Sequence, residues 1–282
     1  MSKLQKKPHW MKSPLPSGKV YVNTKEIIQK NNLHTICTSG NCPNKAECWN
    51  AGTATFMILG DICTRSCKFC GTKTGKPLAV DNDEPKRLAQ SIKLMKLQHC
   101  VITSVDRDDL FDGGTFIWYE AIREIKKVNH GITIEALIPD FNGNMENIQK
   151  IINTKPEIIS HNLETVKRLT PLTRSKAKYN ISLSVLSQIA KSGIRAKSGI
   201  MLGLGEKKEE ILECMDDLLN VGVEIMTLGQ YLQPTLAHLP VLEFVKPEIF
   251  KGYQEIGLKK GFKHVESGPL VRSSYHAEKH LY

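Results

Sequence analysis

From Ala54 onward, short apolar runs alternate with longer amphipathic stretches, and that alternation leaves the chain very few folds. The apolar runs at 55–59, 100–105, 133–138, 158–161, 194–201 and 225–231 have the length of buried strands. Between them, 85–97, 116–128, 145–154, 181–191 and 206–220 repeat apolar residues at spacings of three and four, as a helix covering a sheet must. Such alternation means parallel strands joined by crossover helices. About six units fit, so the expected fold is α/β: a partial (β/α)6 TIM-type barrel, with an open sheet as the other arrangement of the same parts. A helix at 247–260 and a short strand at 264–266 follow the last unit. Within residues 1–53, rich in turn formers such as Pro8, Pro14, Pro16, Gly18, Gly40, Pro43 and Gly52, only 24–32 reads as helix. Three segments result: an N-terminal extension at 1–53, a barrel at 54–245 and a C-terminal extension at 246–282.

Hydrophobic residues make up 40% of the 282 and charged ones 24%, the balance of a globular chain and not of a disordered one. No eighteen apolar residues run together, and the lysines of MSKLQKKPHWMKSPLPSG have no apolar stretch behind them. Membrane spanning and secretion are therefore not expected, and the cytoplasm is.

Six of the eight cysteines lie between Cys37 and Cys70. In a reducing compartment clustered thiols point to metal or redox chemistry before disulfides. Cys63, Cys67 and Cys70 form C-x3-C-x2-C within CTRSCKFC, directly after the first strand and hence at the strand ends where α/β folds gather ligands. Three thiolates are one short of a closed structural zinc site. They suit a 4Fe–4S cluster with one iron left open for a ligand. Upstream, Cys37, Cys42 and Cys48 in C-x4-C-x5-C add three soft donors, and incidental or zinc-binding thiols are an equal alternative for that spacing taken alone. Cys100, in an apolar strand, and Cys214, in a helix, read as small core residues.

The spacing and the aromatic Phe69 make CTRSCKFC resemble the radical S-adenosylmethionine superfamily, whose members fold as partial or full β/α barrels. With the upstream triad and the C-terminal Arg272, Ser273, Ser274 and Tyr275, the chain is similar to the lipoyl synthase family. The segments SVDRDDLFDGG, IEALIPDF, HNLETV, KSGIMLGLGE, LGQYLQPTLAHLPV and GPLVRSSYHA extend that likeness over nearly the whole chain, with Phe111 where the family pattern has Pro.

This resemblance implies two 4Fe–4S clusters and S-adenosylmethionine as cofactors. Cys63, Cys67 and Cys70 would hold the catalytic cluster, whose open iron binds S-adenosylmethionine and delivers the electron that cleaves it to a 5′-deoxyadenosyl radical. Cys37, Cys42, Cys48 and Ser274, with Ser273 as the second choice, would hold an auxiliary cluster whose sulfur is inserted at C6 and C8 of a protein-bound octanoyl-lysine. Asn162 and Glu164 would contact the ribose or sulfonium, Arg174 the methionyl carboxylate, and Gly203 and Gly205 of GIMLGLGE the adenine. From the residues alone, Asn162 and Glu164 could equally cap a helix and Arg174 could be a solvated charge. Expected partners are octanoylated carrier domains (2-oxoacid dehydrogenase acyltransferase subunits and the glycine cleavage H protein), reduced ferredoxin or flavodoxin, and an iron–sulfur carrier. Another sulfur-inserting superfamily member, biotin synthase-like or RNA methylthiotransferase-like, is the alternative.

Other signals are set aside on their chemistry. GTKTGKP at 71–77 is one residue short of a P-loop and lacks Ser or Thr after Lys76, while Lys208 stands where a dinucleotide fingerprint needs its third glycine. The net charge of +10, from 39 basic and 29 acidic residues, includes Lys3, Lys6, Lys7 and Lys12. No nucleic-acid motif accompanies it, so no nucleic-acid partner is expected, and acidic carrier domains would be steered by the same surface. The loop Asp106, Arg107, Asp108, Asp109, Asp112 takes no assigned role, since such mixed charges often form a salt-bridged turn.

Overall fold

A computed structural model describes residues 5–13, 15, 17–51 and 53–281. Lys3, Pro14, Pro16 and Gly52, named above, lie outside them. The chain divides into two compact units, Ser13–Arg65 with Thr72–Ile158, and Met1–Lys12 with Ser66–Gly71 and Ile159–Tyr282.

The first unit opens with α1 (Lys19–Lys30), β1 (His34–Thr35), α2 (Ile36–Ser39) and α3 (Lys45–Asn50). Only one helix is expected here from the sequence. The two additional helices, of four and six residues, are too short to register as an apolar period. Next come β2 (Thr55–Ile58), β3 (Ile62–Cys63), β4 (Lys73–Thr74), α4 (Glu84–Met95), β5 (His99–Ser104), α5 (Thr115–Val128), β6 (Thr133–Leu137) and α6 (Met145–Ile152). β1 pairs antiparallel with β2, whereas β2, β5 and β6 pair in parallel, Phe56 opposite Ile102 and Ile102 opposite Ala136. The helices cover them with a largely apolar stripe: Leu88 and Ile92 of α4 and Trp118, Ile122 and Ile125 of α5 are fully buried. Burial on that scale contributes about 2 kcal/mol per large side chain. Asn144 starts α6 by accepting the Glu146 and Asn147 amides at 3.1 and 3.2 Å, a cap contributing about 1 kcal/mol.

β7 (Ile158–Ser160) runs through the division at Ile158. The second unit continues with a 3-10 turn at Lys167–Leu169, α7 (Thr170–Thr173), α8 (Tyr179–Lys191), β8 (Arg195–Leu202), α9 (Lys208–Asn220), β9 (Ile225–Gln230), α10 (Pro247–Lys260) and β10 (His264–Gly268). β8, β9 and β10 are parallel, with Ile225 opposite both Lys197 and His264. Val185, Leu186 and Ile189 of α8, Leu228 of β9 and Phe250 of α10 form its buried core. After β10 the chain crosses β9 so closely that a Cβ on Gly229 would stand 2.1 Å from the Val271 carbonyl oxygen. Only glycine fits there.

Thus a helix separates each of β2, β5, β6, β7, β8 and β9 from the next, and α10 follows β9, the succession of a partial (β/α)6 barrel. Among the described residues no helix is long and apolar enough to cross a membrane.

Candidate active site

Cys63 ends β3, and its half-buried sulfur accepts two backbone amides, Arg65 N–H and Asp106 N–H, each at 3.4 Å. Its thiol also donates to Asp106 Oδ2 at 3.7 Å. Thr64 ties the same turn to the residues after β5, its N–H and hydroxyl both donating to the Asp106 carbonyl at 3.0 Å. Arg65 is buried among carboxylates: Nε and Nη2 fork Asp108 at 2.8 and 2.9 Å, Nη2 meets Asp140 at 2.8 Å, and Nη1 lies 3.3 Å from Asp106. Arg107 binds Asp109 instead, at 2.9 Å. The acid–base loop therefore divides between two arginines, and Asp112 spends its carboxylate on the Gly114 and Phe116 amides at the start of α5.

In the second unit, Cys67 Sγ lies 3.7 Å from Ser175 Oγ, which accepts the Ser66 amide at 3.2 Å. The Lys68 amide donates to the Thr173 carbonyl at 2.8 Å, and the Lys68 carbonyl accepts Leu239 N–H at 3.1 Å. His238 Nε2 donates to the Cys70 carbonyl at 2.9 Å, which leaves Nδ1 to accept the Thr235 hydroxyl, also at 2.9 Å.

HNLET follows β7 in the same unit. Asn162 is nine-tenths buried, with Nδ2 donating to Ser273 Oγ at 2.6 Å and Oδ1 buried without a hydrogen-bond partner. Glu164 is no helix cap: its φ of 69° is left-handed, and its backbone forms a parallel bridge to Ile200 of β8. Burial pushes its carboxyl above the usual range, opposed by the nearby Arg174 charge and by Asn162. Arg174 is not a solvated charge either. Its Nη1 donates to the Asn162 and Leu163 carbonyls at 3.2 and 3.4 Å and to Ser182 Oγ at 2.9 Å.

GIMLGLGE lines the end of β8. A Cβ on Gly199 would stand 2.2 Å from Thr227 Oγ1 and 3.3 Å from Asn162 Oδ1. Gly203 and Gly205 have φ of 101° and 95°, and a Cβ on Gly203 would meet the Glu243 carbonyl at 2.4 Å. Glu206 closes this turn by accepting the Gly203 and Leu204 amides at 2.6 and 2.9 Å.

The upstream triad lies wholly in the first unit. Cys37 is buried in α2, Cys48 is half-buried in α3, and Cys42 bridges them, its amide donating to the Cys37 carbonyl at 3.1 Å. Burial raises the Cys37 thiol, and a charge on Cys42 raises it further. Tyr21 of α1 stacks at 5.2 Å on Trp49 beside Cys48. Arg272 and Tyr275 form a turn in the other unit, with Tyr275 N–H to the Arg272 carbonyl at 2.9 Å and the half-exposed Ser274 inside it.

All eight cysteines are free thiols, so both triads retain the soft donor set an iron–sulfur cluster requires. Among the described residues, no three His, Cys, Asp or Glu side chains are gathered closely enough to hold a metal ion. Cys100 and Cys214 are buried as core residues, and burial pushes the Cys214 thiol up to about 12. Arg65, Ser175 and His238 escape sequence reasoning. Arg65 alone left a signal, a basic residue between two motif cysteines in a chain with an acidic loop after its second strand.

The sequence profile of the radical SAM superfamily matches residues 57–218. A lipoyl synthase of Phocaeicola vulgatus is 61% identical over 98% of this chain and 97% of its own length. The chain belongs to the lipoyl synthase family. A mitochondrial lipoyl synthase of Nematostella vectensis is 58% identical over 98% of the chain and 95% of its own. Solved structures share the fold at far lower identity. Methylornithine synthase (PylB) has a TM-score of 0.57 at 12% identity, covering 89% of this chain and 79% of that one, and anSMEcpe with bound AdoMet has 0.55 at 11%, covering 74% and 62%. As radical SAM enzymes, lipoyl synthases use a 4Fe–4S cluster and S-adenosylmethionine, and the alternatives among other sulfur inserters give way to this family.

Proposed function

We propose that this chain inserts two sulfur atoms, at C6 and C8, into an octanoyl chain amide-linked to a lysine of a carrier domain, making the lipoyl cofactor. The observation that carries this reading is the presence, in a chain of this family, of two separate triads of free thiols. Cys63, Cys67 and Cys70 hold the catalytic cluster; Cys37, Cys42 and Cys48 hold an auxiliary one. Bound there, the two clusters and S-adenosylmethionine supply hydrogen abstraction from unactivated carbon and the sulfur that replaces it.

The chain's own residues do the binding and orienting. Ser274 is the fourth auxiliary ligand, as the family resemblance implies, and Ser273, which accepts the Asn162 amide, is the second choice. A serine oxygen is a hard donor beside sulfide-bridged iron and so a ligand suited to leave. Asn162 Oδ1 accepts a ribose hydroxyl, which relieves a buried acceptor otherwise costing about 1–3 kcal/mol. Arg174, anchored through Nη1, brings a positive charge to the methionyl carboxylate, and Glu164 lies beside the ribose. Gly203 and Gly205 leave backbone open against adenine. On this reading 1–53 supplies the auxiliary thiols, 54–245 the barrel and 246–282 the serine.

Octanoylated acyltransferase domains and the glycine cleavage H protein are the substrates, steered by the net charge of +10. Reduced ferredoxin or flavodoxin donates electrons, an iron–sulfur carrier rebuilds the auxiliary cluster, and the reaction runs in the cytoplasm.

The test is anaerobic iron and sulfide analysis of reconstituted protein, then incubation with S-adenosylmethionine, reductant and an octanoyl-lysyl peptide. About eight irons per chain and a lipoyl peptide are expected. Cys63→Ala should abolish cleavage of S-adenosylmethionine, whereas Cys37→Ala should keep cleavage and lose sulfur insertion. Lipoyl product from Cys37→Ala would overturn the donor role of the second triad.

A further inference from the structure

Arg65 stands between two motif cysteines, yet its side chain is 4% exposed and faces three carboxylates, Asp106, Asp108 and Asp140, which are 23%, 14% and 2% exposed. Its partners come from two strand ends, Asp106 and Asp108 after β5 and Asp140 after β6. Asn142 completes the set, accepting Arg65 Nη2 at 3.0 Å and donating to Asp108 Oδ1 at 2.8 Å. One guanidinium shared among three carboxylates, all partly or wholly buried, is an arrangement with a purpose to explain, because a buried charge left without its partner is strongly destabilising.

The consequence falls on Cys63. The main chain of Arg65 gives an amide to the Cys63 sulfur, and the main chain of Asp106, whose side chain Arg65 holds, gives another. The Asp106 carboxylate is also 3.7 Å from that sulfur. A thiol can donate to it, but a cysteine ligating iron cannot, and the two anions then repel unless Arg65 offsets them.

We propose that Arg65 is a positioning residue of the catalytic cluster: it clamps the cysteine loop to the ends of β5 and β6, keeps two N–H groups on the Cys63 sulfur, and sets the potential at which the cluster is reduced. This rests on the reading of Cys63 as an iron ligand. The step concerned is the gain of one electron from the external reductant, taking the cluster from the 2+ to the 1+ state with no bond made or broken. Hydrogen bonds to cluster sulfurs and nearby charge tune such potentials. Loss of Arg65 removes a positive charge and loosens both N–H groups, and both changes disfavour the reduced state.

The experiment uses the full-length chain with Cys37, Cys42 and Cys48 replaced by Ala, so that one cluster is titrated, reading iron per chain and the midpoint potential by EPR. Arg65→Gln should lower iron retention and make reduction at least tenfold less favourable, a shift of about 59 mV to more negative potential for one electron. Arg65→Lys, keeping the charge without the fork, should recover part of that shift. Asp140→Asn, which removes one carboxylate and keeps the acceptor, should move the potential the opposite way and decides the matter if Arg65→Gln does not fold. Unchanged potentials in the folded variants would overturn the proposal. Cys63→Ala separates the two readings: if it retains the cluster, the ligand assignment itself is wrong, whereas if it loses iron while the Arg65 and Asp140 variants match the parent, only the role of Arg65 falls.

Discussion

Asn162 donates its side-chain amide to the Ser273 hydroxyl at 2.6 Å, joining residues 111 apart in sequence. The bond decides which end of the carboxamide is free. With Nδ2 committed to the tail, Oδ1 is the atom left against Gly199, so this position selects for a ligand that donates a hydrogen bond. The C-terminal segment thereby orients a residue that the proposed function places against S-adenosylmethionine.

Ser273→Ala should therefore weaken S-adenosylmethionine binding and lower stability by about 1 kcal/mol, while leaving iron content at the level of the parent. Equilibrium binding to the reconstituted protein, with a parallel denaturation curve, measures both.

Gly199→Ala should be destabilising by about 1–3 kcal/mol, because its new methyl would overlap Thr227 Oγ1 at 2.2 Å in a packed strand pair. Thr227→Ser on the same chain leaves that oxygen in place and should not rescue it, whereas Thr227→Ala should. Urea unfolding of the three variants settles the order.

Cys100→Ala and Cys214→Ala should keep the parent's full iron and sulfide content, since both thiols are fully buried, Cys214 against the Tyr179 side chain, and held protonated by that burial. The expected penalty is stability alone, about 1–2 kcal/mol for the small cavity. Loss of iron from either would place a ligand outside the two triads.

Glu210 binds Arg168 at 2.6 and 2.9 Å, and this contact with the Lys207 amide holds its carboxyl down at about 2 against an ordinary 4.5. A depressed carboxyl stabilises the fold above its unfolded value and loses that contribution as pH falls. The difference in melting temperature between the parent and Glu210→Gln should accordingly be constant above about 4.5 and shrink toward about 2. It should also shrink with added salt, because the Arg168 side chain is half-exposed.

The β/α succession was legible because each buried strand and each helix covering it carries its own period. Ends differ by one to three residues in most elements, as at β5, which starts at His99 where Thr133 pairs with it. The short helices holding Cys37 and Cys48 were not legible, since a single turn has no apolar period. Cysteine spacing pointed to a cluster at Cys63, Cys67 and Cys70 from the chain alone, whereas the spacing of Cys37, Cys42 and Cys48 by itself left zinc as an equal alternative. It could not reveal that Arg65 answers to Asp106, Asp108 and Asp140, because those partners come from 41 to 75 residues away in sequence and only the parallel pairing of β5 with β6 brings the two loops side by side.

The close crossing of Gly229 by Val271 has a bearing on biosynthesis. Translation proceeds from the N-terminus, so every cysteine of both triads, and β9 itself, leaves the ribosome before the segment that must lie across Gly229 exists. The nascent chain thus passes through a stage in which all six thiols are present and Ser273 has not yet reached Asn162. The order in which these parts become available is built in: thiols first, tail last.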